Sequence, residues 1–277
     1  MQSTSKHADK PGRDALLHGA GRKNETKKMI SRNKIKFIHS LQMKKYRQQE
    51  QCFVAEGPKV VADLLELMPA RLLVHTAGWT PGNETNGTET MLVSEDELRR
   101  VSFLQHPQDV LAVFPMPETD HVSPRTDRLS LALDNVQDPG NLGTIIRIAD
   151  WFGIEDIFCS QGTADAYSPK VVQATMGSIA RVHVRYVDLP QTISALPADF
   201  PVYAMMLEGE DIYRQSLTRH GLIVMGNEGQ GISPAVRALV NRKLLIPNYP
   251  ADRPTADSLN VAIATAVTCA EFRRRLL

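Results

Sequence analysis

The chain has 277 residues, 42% hydrophobic and 23% charged, enough for one large or two modest domains that each bury a core. No apolar run approaches the 18 or so residues of a membrane span, because the most apolar stretch, from Leu259 to Ala270, contains Asn260, Thr265 and Thr268. The three scattered cysteines, Cys52, Cys159 and Cys269, draw neither a disulfide framework nor a zinc site, and the eight histidines form no ligand cluster. The N-terminus is basic without the apolar segment of a secretory signal, so the expectation is a cytoplasmic protein that uses no metal.

The net charge of +1 hides an asymmetry: residues 1–50 carry thirteen Lys or Arg against four Asp or Glu, and the rest of the chain is correspondingly acidic. A basic arm on an acidic body suits a polyanion such as nucleic acid, although a solvated tail has the same composition. We expect a flexible basic tail over 1–28. A basic amphipathic helix follows, in which Ile30, Ile35, Phe37, Ile38, Leu41 and Met43 recur at roughly helical spacing.

A small α/β unit is expected over 29–116. Its strands are Cys52–Glu56, Arg71–Thr76, Met91–Val93 and Asp109–Phe114, with one helix over Lys59–Met68. A second helix opens at Ser94, with Glu97 placed for a capping box. Residues 117–128 are proline-rich and polar, a linker. From 129 to 277 strands and helices alternate regularly, which predicts a parallel sheet with helices on both faces. The strands expected are 129–136, 154–160, 181–187, 201–207, 221–226 and 243–247. The helices between and after them are Asn141–Phe152, Pro169–Ile179, Gln191–Ala195, Ile212–Leu217, Pro234–Asn241 and Ser258–Leu277.

Neither the P-loop nor the dinucleotide-binding glycine fingerprint is present, and no H-E-x-x-H occurs. Nucleotide-hydrolase, nicotinamide oxidoreductase and zinc-hydrolase readings therefore lose their main support. Three unusual segments remain, each at the carboxyl end of a predicted parallel strand, where open α/β sheets place ligands. In the first, LDNVQDPGNLGTIIR, Asp138-Pro139-Gly140-Asn141 turns into a helix that carries Arg147. A cation at that rim suits a phosphate-bearing substrate, but a surface arginine on an amphipathic helix has the same pattern. In the second, MGNEGQGIS, Glu228 sits among Gly226, Gly229 and Gly231, able to orient a cation, accept a hydrogen bond or cap the next helix. In the third, Ile246-Pro247 is followed by a loop and then SLNVAIATA, where alanines permit close packing against its own sheet and another subunit.

Together, DPGNLGTIIR, MGNEGQGIS, and IP followed by SLNVAIATA resemble, in order and spacing, the signature motifs of the SpoU (TrmH-type) RNA ribose methyltransferases of the SPOUT superfamily. QATMGSIARV (173–182) is similar to the passage these proteins carry between the first two motifs. Upstream, CFVAEGPKVVADLL resembles the small substrate-binding domain of the ribosomal-RNA members, a fold akin to kink-turn-binding ribosomal proteins. The resemblance implies a trefoil-knotted methyltransferase domain over 129–277, an exception to the no-knot rule. It also implies a homodimer with active sites at the subunit interface. S-adenosylmethionine would lie against Leu207, Gly226, Ile246 and Leu259. The family's catalytic arginine falls on Arg147, and Asn141, Glu228, Ser258 and Asn260 fall on its supporting positions. The 248–257 loop departs from the pattern, being longer and without glycine, which changes the adenosyl contacts expected there.

The function implied is methylation of a ribose 2′-hydroxyl, with large-subunit ribosomal RNA favoured by the upstream domain. The alternatives are transfer RNA as substrate, or a non-catalytic RNA-binding assembly factor on the same fold. A knotted base-nitrogen methyltransferase is disfavoured, because no carboxylate stands in place of Arg147. Arginine is a poor base, its pKa exceeding about 12, although the family mechanism gives it that role. Stabilising the developing alkoxide and gripping the adjacent phosphate is the more conservative reading, with Asn141 and Glu228 fixing the guanidinium.

Overall fold

The computed structural model describes residues 29–80, 82, 85, 87–117, 123–250 and 256–275. The expected tail over 1–28 lies outside them, as do much of the linker (118–122), the middle of the atypical loop (251–255) and the last two residues.

The basic segment forms two helices where one was expected, α1 (Arg32–Ser40) and α2 (Lys44–Glu50). Ser31 caps α1 by accepting from the Lys34 N–H. The break at residues 41–43 has a visible cause. Arg47 is only 3% exposed, and its Nη1 donates to the Leu41 and Gln42 carbonyls, 2.7 Å each, turning them out of a helical path. Hydrophobic spacing could not reveal this, because a buried arginine reads as a surface one.

Strands β1 (Cys52–Glu56), β2 (Leu72–His75), β3 (Glu89–Leu92) and β4 (Val110–Pro115) form a mixed sheet in the order β1-β4-β2-β3. Helix α3 (Pro58–Leu65) starts after Gly57, whose φ of 89° favours glycine, with Pro58 at its first turn. Helix α4 (Glu95–Arg99) carries the expected capping box: the Glu97 N–H donates to Ser94 Oγ, and the Ser94 N–H to Glu97 Oε2.

The second sheet is entirely parallel, as the strand–helix alternation predicts. Its members are β5 (Leu129–Asp134), β6 (Asp156–Cys159), β7 (His183–Tyr186), β8 (Val202–Asp211), β9 (Gly221–Gly226) and β10 (Arg242–Leu245), in the order β10-β8-β9-β5-β6-β7. Helices α5 (Pro139–Trp151), α6 (Pro169–Thr175) and α9 (Val261–Arg274) cover one face, and α7 (Leu189–Ser194) and α8 (Pro234–Arg237) the other. The pleat of β5 shows why: Leu131 and Leu133 join the core under α5 and α9, and Ala132 the core under α7 and α8. Each leucine so buried stabilises the fold by about 1.5–3 kcal/mol.

Several ends differ from expectation. Strand β8 continues past Leu207 to Asp211, because a register shift at Lys243/Leu244 lets β10 pair with Glu210 and Asp211. The helix expected over 212–217 is a single 3-10 turn, Ile212–Arg214. Helix α8 stops at Arg237, and Asn241 binds the start of β8, accepting from the Val202 N–H and donating to the Phe200 carbonyl.

The two domains do not keep separate cores. Phe53 and Phe114 of the first sheet and Tyr167 and Val171 beside α6 belong to one apolar cluster, with the Phe53 and Tyr167 rings 5.1 Å apart. Arg47 Nη2 and Asp165 add an ion pair of 2.5 Å across the junction. Among the described residues, no helix is long and apolar enough to cross a membrane.

Candidate functional site

Strands β5, β8, β9 and β10 end at one edge of the parallel sheet, and the three unusual segments leave from those ends. Asp138 caps α5 by accepting from the Asn141 N–H at 2.7 Å, which fixes Asn141 in the first turn. Asn141 Nδ2 then donates to Glu228 Oε1 at 2.9 Å, and Asn260 Nδ2 donates to Asn141 Oδ1 at 2.9 Å. One polar side chain from each segment thus joins a continuous chain of hydrogen bonds. Asn260 Oδ1 also caps α9 by accepting from the Ala262 and Ile263 N–H groups. The helix therefore begins at Val261, not at Ser258, and Ser258 and Leu259 stay outside it.

The loop carrying Glu228 is shaped by Asn227, which sequence reasoning passed over. Asn227 exchanges two backbone hydrogen bonds with Gly231, and its Oδ1 accepts from the Gly229 and Gln230 N–H groups. Its Nδ2 donates to the Asn135 carbonyl at 2.7 Å, pinning the loop to the end of β5. An asparagine before glycines is the signal that could have found it. Gly226 is required by contact: a Cβ there would lie 2.4 Å from the Gly231 carbonyl carbon. Asp134 is a second omission. It is buried, and its Oδ2 accepts from the Ser233 N–H at 2.8 Å, so it holds the far end of the same loop.

Leu207, Gly226, Ile246 and Leu259 all line one cleft of about 410 Å³. Glu228 and Ser258 line it too. Leu207 is 70% exposed and Leu259 52% exposed, so apolar surface lies open beside the cleft. Water-exposed apolar area costs about 25 cal/mol per Å², which a purine ring laid against it would recover. Glycine backbone offers close approach to a ligand, and the carboxylates of Glu228 and Asp257 complement a cationic sulfonium, while Glu208 is ion-paired with Arg237 in the same lining. The cleft therefore fits S-adenosylmethionine by its chemistry. Among the described residues, no group of His, Cys, Asp or Glu is clustered so as to hold a metal ion.

Arg147 stands apart. It is exposed on α5 and makes no hydrogen bond or ion pair among the described residues, so Asn141 and Glu228 do not fix it as expected. Helix geometry gives the reason. Arg147 lies six positions after Asn141, which places them about 9 Å apart along the axis and about 120° apart around it. Arg147 instead shares an exposed face with Thr144 and Trp151, and Trp151 is 85% exposed.

Residues 128–270 match the SpoU rRNA Methylase family, and residues 32–112 match the MRM3-like substrate binding domain. The chain belongs to the SpoU rRNA methylase family. This SpoU methylase is 32% identical over 244 residues to the 23S rRNA (guanosine(2553)-2′-O)-methyltransferase RlmP of Bacillus subtilis, covering 87% of the chain and 96% of the relative. A TrmH-family protein of known structure from Porphyromonas gingivalis shares 42% identity and a TM-score of 0.81, over 90% of this chain and all of that one. The rRNA methyltransferase of Sinorhizobium meliloti, solved with S-adenosylmethionine bound, shares 32% identity and a TM-score of 0.78, over 89% and 96% of the two chains. As a SpoU methylase the chain is a methyltransferase of an S-adenosylmethionine-dependent family, with a substrate-binding domain ahead of its catalytic domain.

Proposed function

We propose that the chain methylates a ribose 2′-hydroxyl in large-subunit ribosomal RNA. The observation that carries this reading is the match to RlmP along nearly the whole of both chains, substrate-binding domain included. Bound S-adenosylmethionine would supply the methyl group from its sulfonium. Leu207, Gly226, Ile246 and Leu259 would hold it, and Ser258 would hydrogen-bond at the cleft mouth. Asn141, Glu228 and Asn260 keep the three loops in register, so the cleft is shaped before the donor arrives. Arg147 lies outside this cleft's lining, on the exposed α5 face it shares with Trp151. In the homodimer it would act at the subunit interface, where its guanidinium, without a partner among the described residues, is suited to stabilise the developing alkoxide and bind the neighbouring phosphate.

The working unit in this reading is a homodimer with a trefoil-knotted catalytic domain, in the cytoplasm beside its ribosomal substrate. Two features support the first two parts. Trp151 of α5 and Ile263 of α9, two helices that pack together, leave large apolar side chains exposed. After the outermost strand β10, the chain returns so that Ser258, Leu259 and Val261 line the same cleft as the ends of β8 and β9.

The test is ribose-methylation mapping by mass spectrometry on ribosomal RNA from cells with and without the gene, beside tritiated methyl transfer by purified protein. One 2′-O-methyl site lost with the gene and restored in vitro is expected. Identical maps, with no transfer to any RNA, would remove the proposal.

A further inference from the structure

A second cavity, of about 230 Å³, lies where the two domains meet. The substrate-binding domain lends Lys44, Arg47 and Gln48 from α2, and the catalytic domain lends Gln161 and Tyr186 from the carboxyl ends of β6 and β7. Since every strand of that sheet is parallel, the cavity sits at the same edge as the methyl-donor cleft. Strand β6 is two strands from β9, about 10 Å across the sheet. A polar ridge spans the interval: Asn227 Nδ2 donates to the Asn135 carbonyl, and Ser160 Oγ donates to Asn135 Oδ1.

The walls are fixed and their polar groups are only partly used. The Tyr186 hydroxyl donates to the Ala164 carbonyl and accepts from the Ala166 N–H, which holds the ring in place. Lys44 Nζ lies 5.5 Å from that ring's centroid and has no carboxylate partner among the described residues. Arg47 spends its Nη atoms on two carbonyls and on Asp165, but its buried Nε has no hydrogen-bond partner among the described residues. The side-chain amides of Gln48 and Gln161 are likewise uncommitted and exposed. The volume falls below the roughly 300 Å³ at which drug-sized ligands are enclosed, so it admits a ring and leaves attached groups outside.

We propose that this cavity is a second RNA subsite, which takes one unpaired base near the methylated nucleotide. Gln48 and Gln161 bind the edge of the base, and Lys44 binds the phosphate outside. Amides pair with base edges, and an ammonium with a phosphate, by ordinary hydrogen-bond chemistry. The subsite rests on the reading of the chain as an RNA methyltransferase, and it would set which ribose reaches the donor cleft.

The test uses the full chain, a large-subunit ribosomal RNA transcript and its 4-thiouridine-substituted form. In the Gln48→Ala/Gln161→Ala variant, KM for the transcript should rise about tenfold, the scale of two lost hydrogen bonds. Its kcat, S-adenosylmethionine affinity and melting temperature should stay near wild type. Lys44→Ala should reduce the salt slope of RNA binding by about one. Photocrosslinks from the wild type should map to residues 44–51 and 161–187. An unchanged KM with crosslinks elsewhere would overturn the subsite and leave the cavity a domain seam. Crosslinks at the cavity from a wild type that transfers no methyl group would support the subsite and overturn the methyltransferase reading instead.

Discussion

Asn141 and Glu228, 87 residues apart in sequence, are joined by a 2.9 Å hydrogen bond from Nδ2 to Oε1, and Asn260 completes the chain on the other side of Asn141. The bond ties the first turn of α5 to the loop after β9. Because Asn260 also caps α9, the state of the site and the start of the last helix are coupled.

Asn141→Ala should therefore loosen two loops together. These bonds are exposed, so the stability lost should be only about 1 kcal/mol. S-adenosylmethionine affinity should nevertheless fall several-fold by calorimetry. Glu228→Gln keeps an acceptor oxygen for Asn141 and should retain more affinity than Glu228→Ala. Equal losses in both Glu228 variants would mean that charge, not the hydrogen bond, is what the cleft requires.

Arg147 has no partner among the described residues, so Arg147→Ala should melt and bind donor like wild type. Methyl transfer should fall by about 10² to 10³, the scale for one lost charge-stabilising group. Arg147→Lys should recover little, since an ammonium cannot reproduce the planar fork. Near-normal transfer by the alanine variant in a tritium assay would sink the assigned role. Loss of self-association in sedimentation would make the residue structural.

At Gly226 a methyl group would meet Gly231 and Ile232 backbone at 2.4–2.7 Å, where no side chain can yield. Gly226→Ala should cost about 1–3 kcal/mol and widen the Glu228 loop. A melting curve should show the first effect, and weaker donor binding the second. Wild-type values for both would show that the backbone there moves freely.

Glu271 offers a pH test away from the site. Hydrogen bonds from Arg274, then burial opposing them, then Arg275 leave its carboxyl below its ordinary value of 4.5. A depressed carboxylate stabilises the fold fully above its unfolded pKa and loses that contribution as pH falls through the folded one. The urea midpoint of wild type should exceed that of Glu271→Gln at pH 7, with the gap closing toward pH 3. A gap independent of pH would refute the assignment.

Sequence alone determined the parallel α/β class and the capping box at Ser94 and Glu97, and the resemblance of its motifs to the SpoU methyltransferases pointed to the residues that line the cleft. The first two follow from strand alternation and local chemistry: intervening helices carry the chain back so that all strands point one way, and a cap needs an oxygen three residues before its donor. Only the tertiary structure decided what Arg47, Asn227 and Arg147 do. Arg47 breaks a helix and crosses a domain junction because carbonyls at 41–42 and a carboxylate 118 residues away share its guanidinium. Asn227 was legible as a turn residue, but its hold on Asn135 depends on β9 lying beside β5. Arg147 was placed correctly on its helix, yet its freedom from Asn141 and Glu228 came from helix rotation and from Asn260 occupying Asn141. Such pairings are set by which strand ends become neighbours, a property of the assembled sheet that no stretch of chain carries by itself.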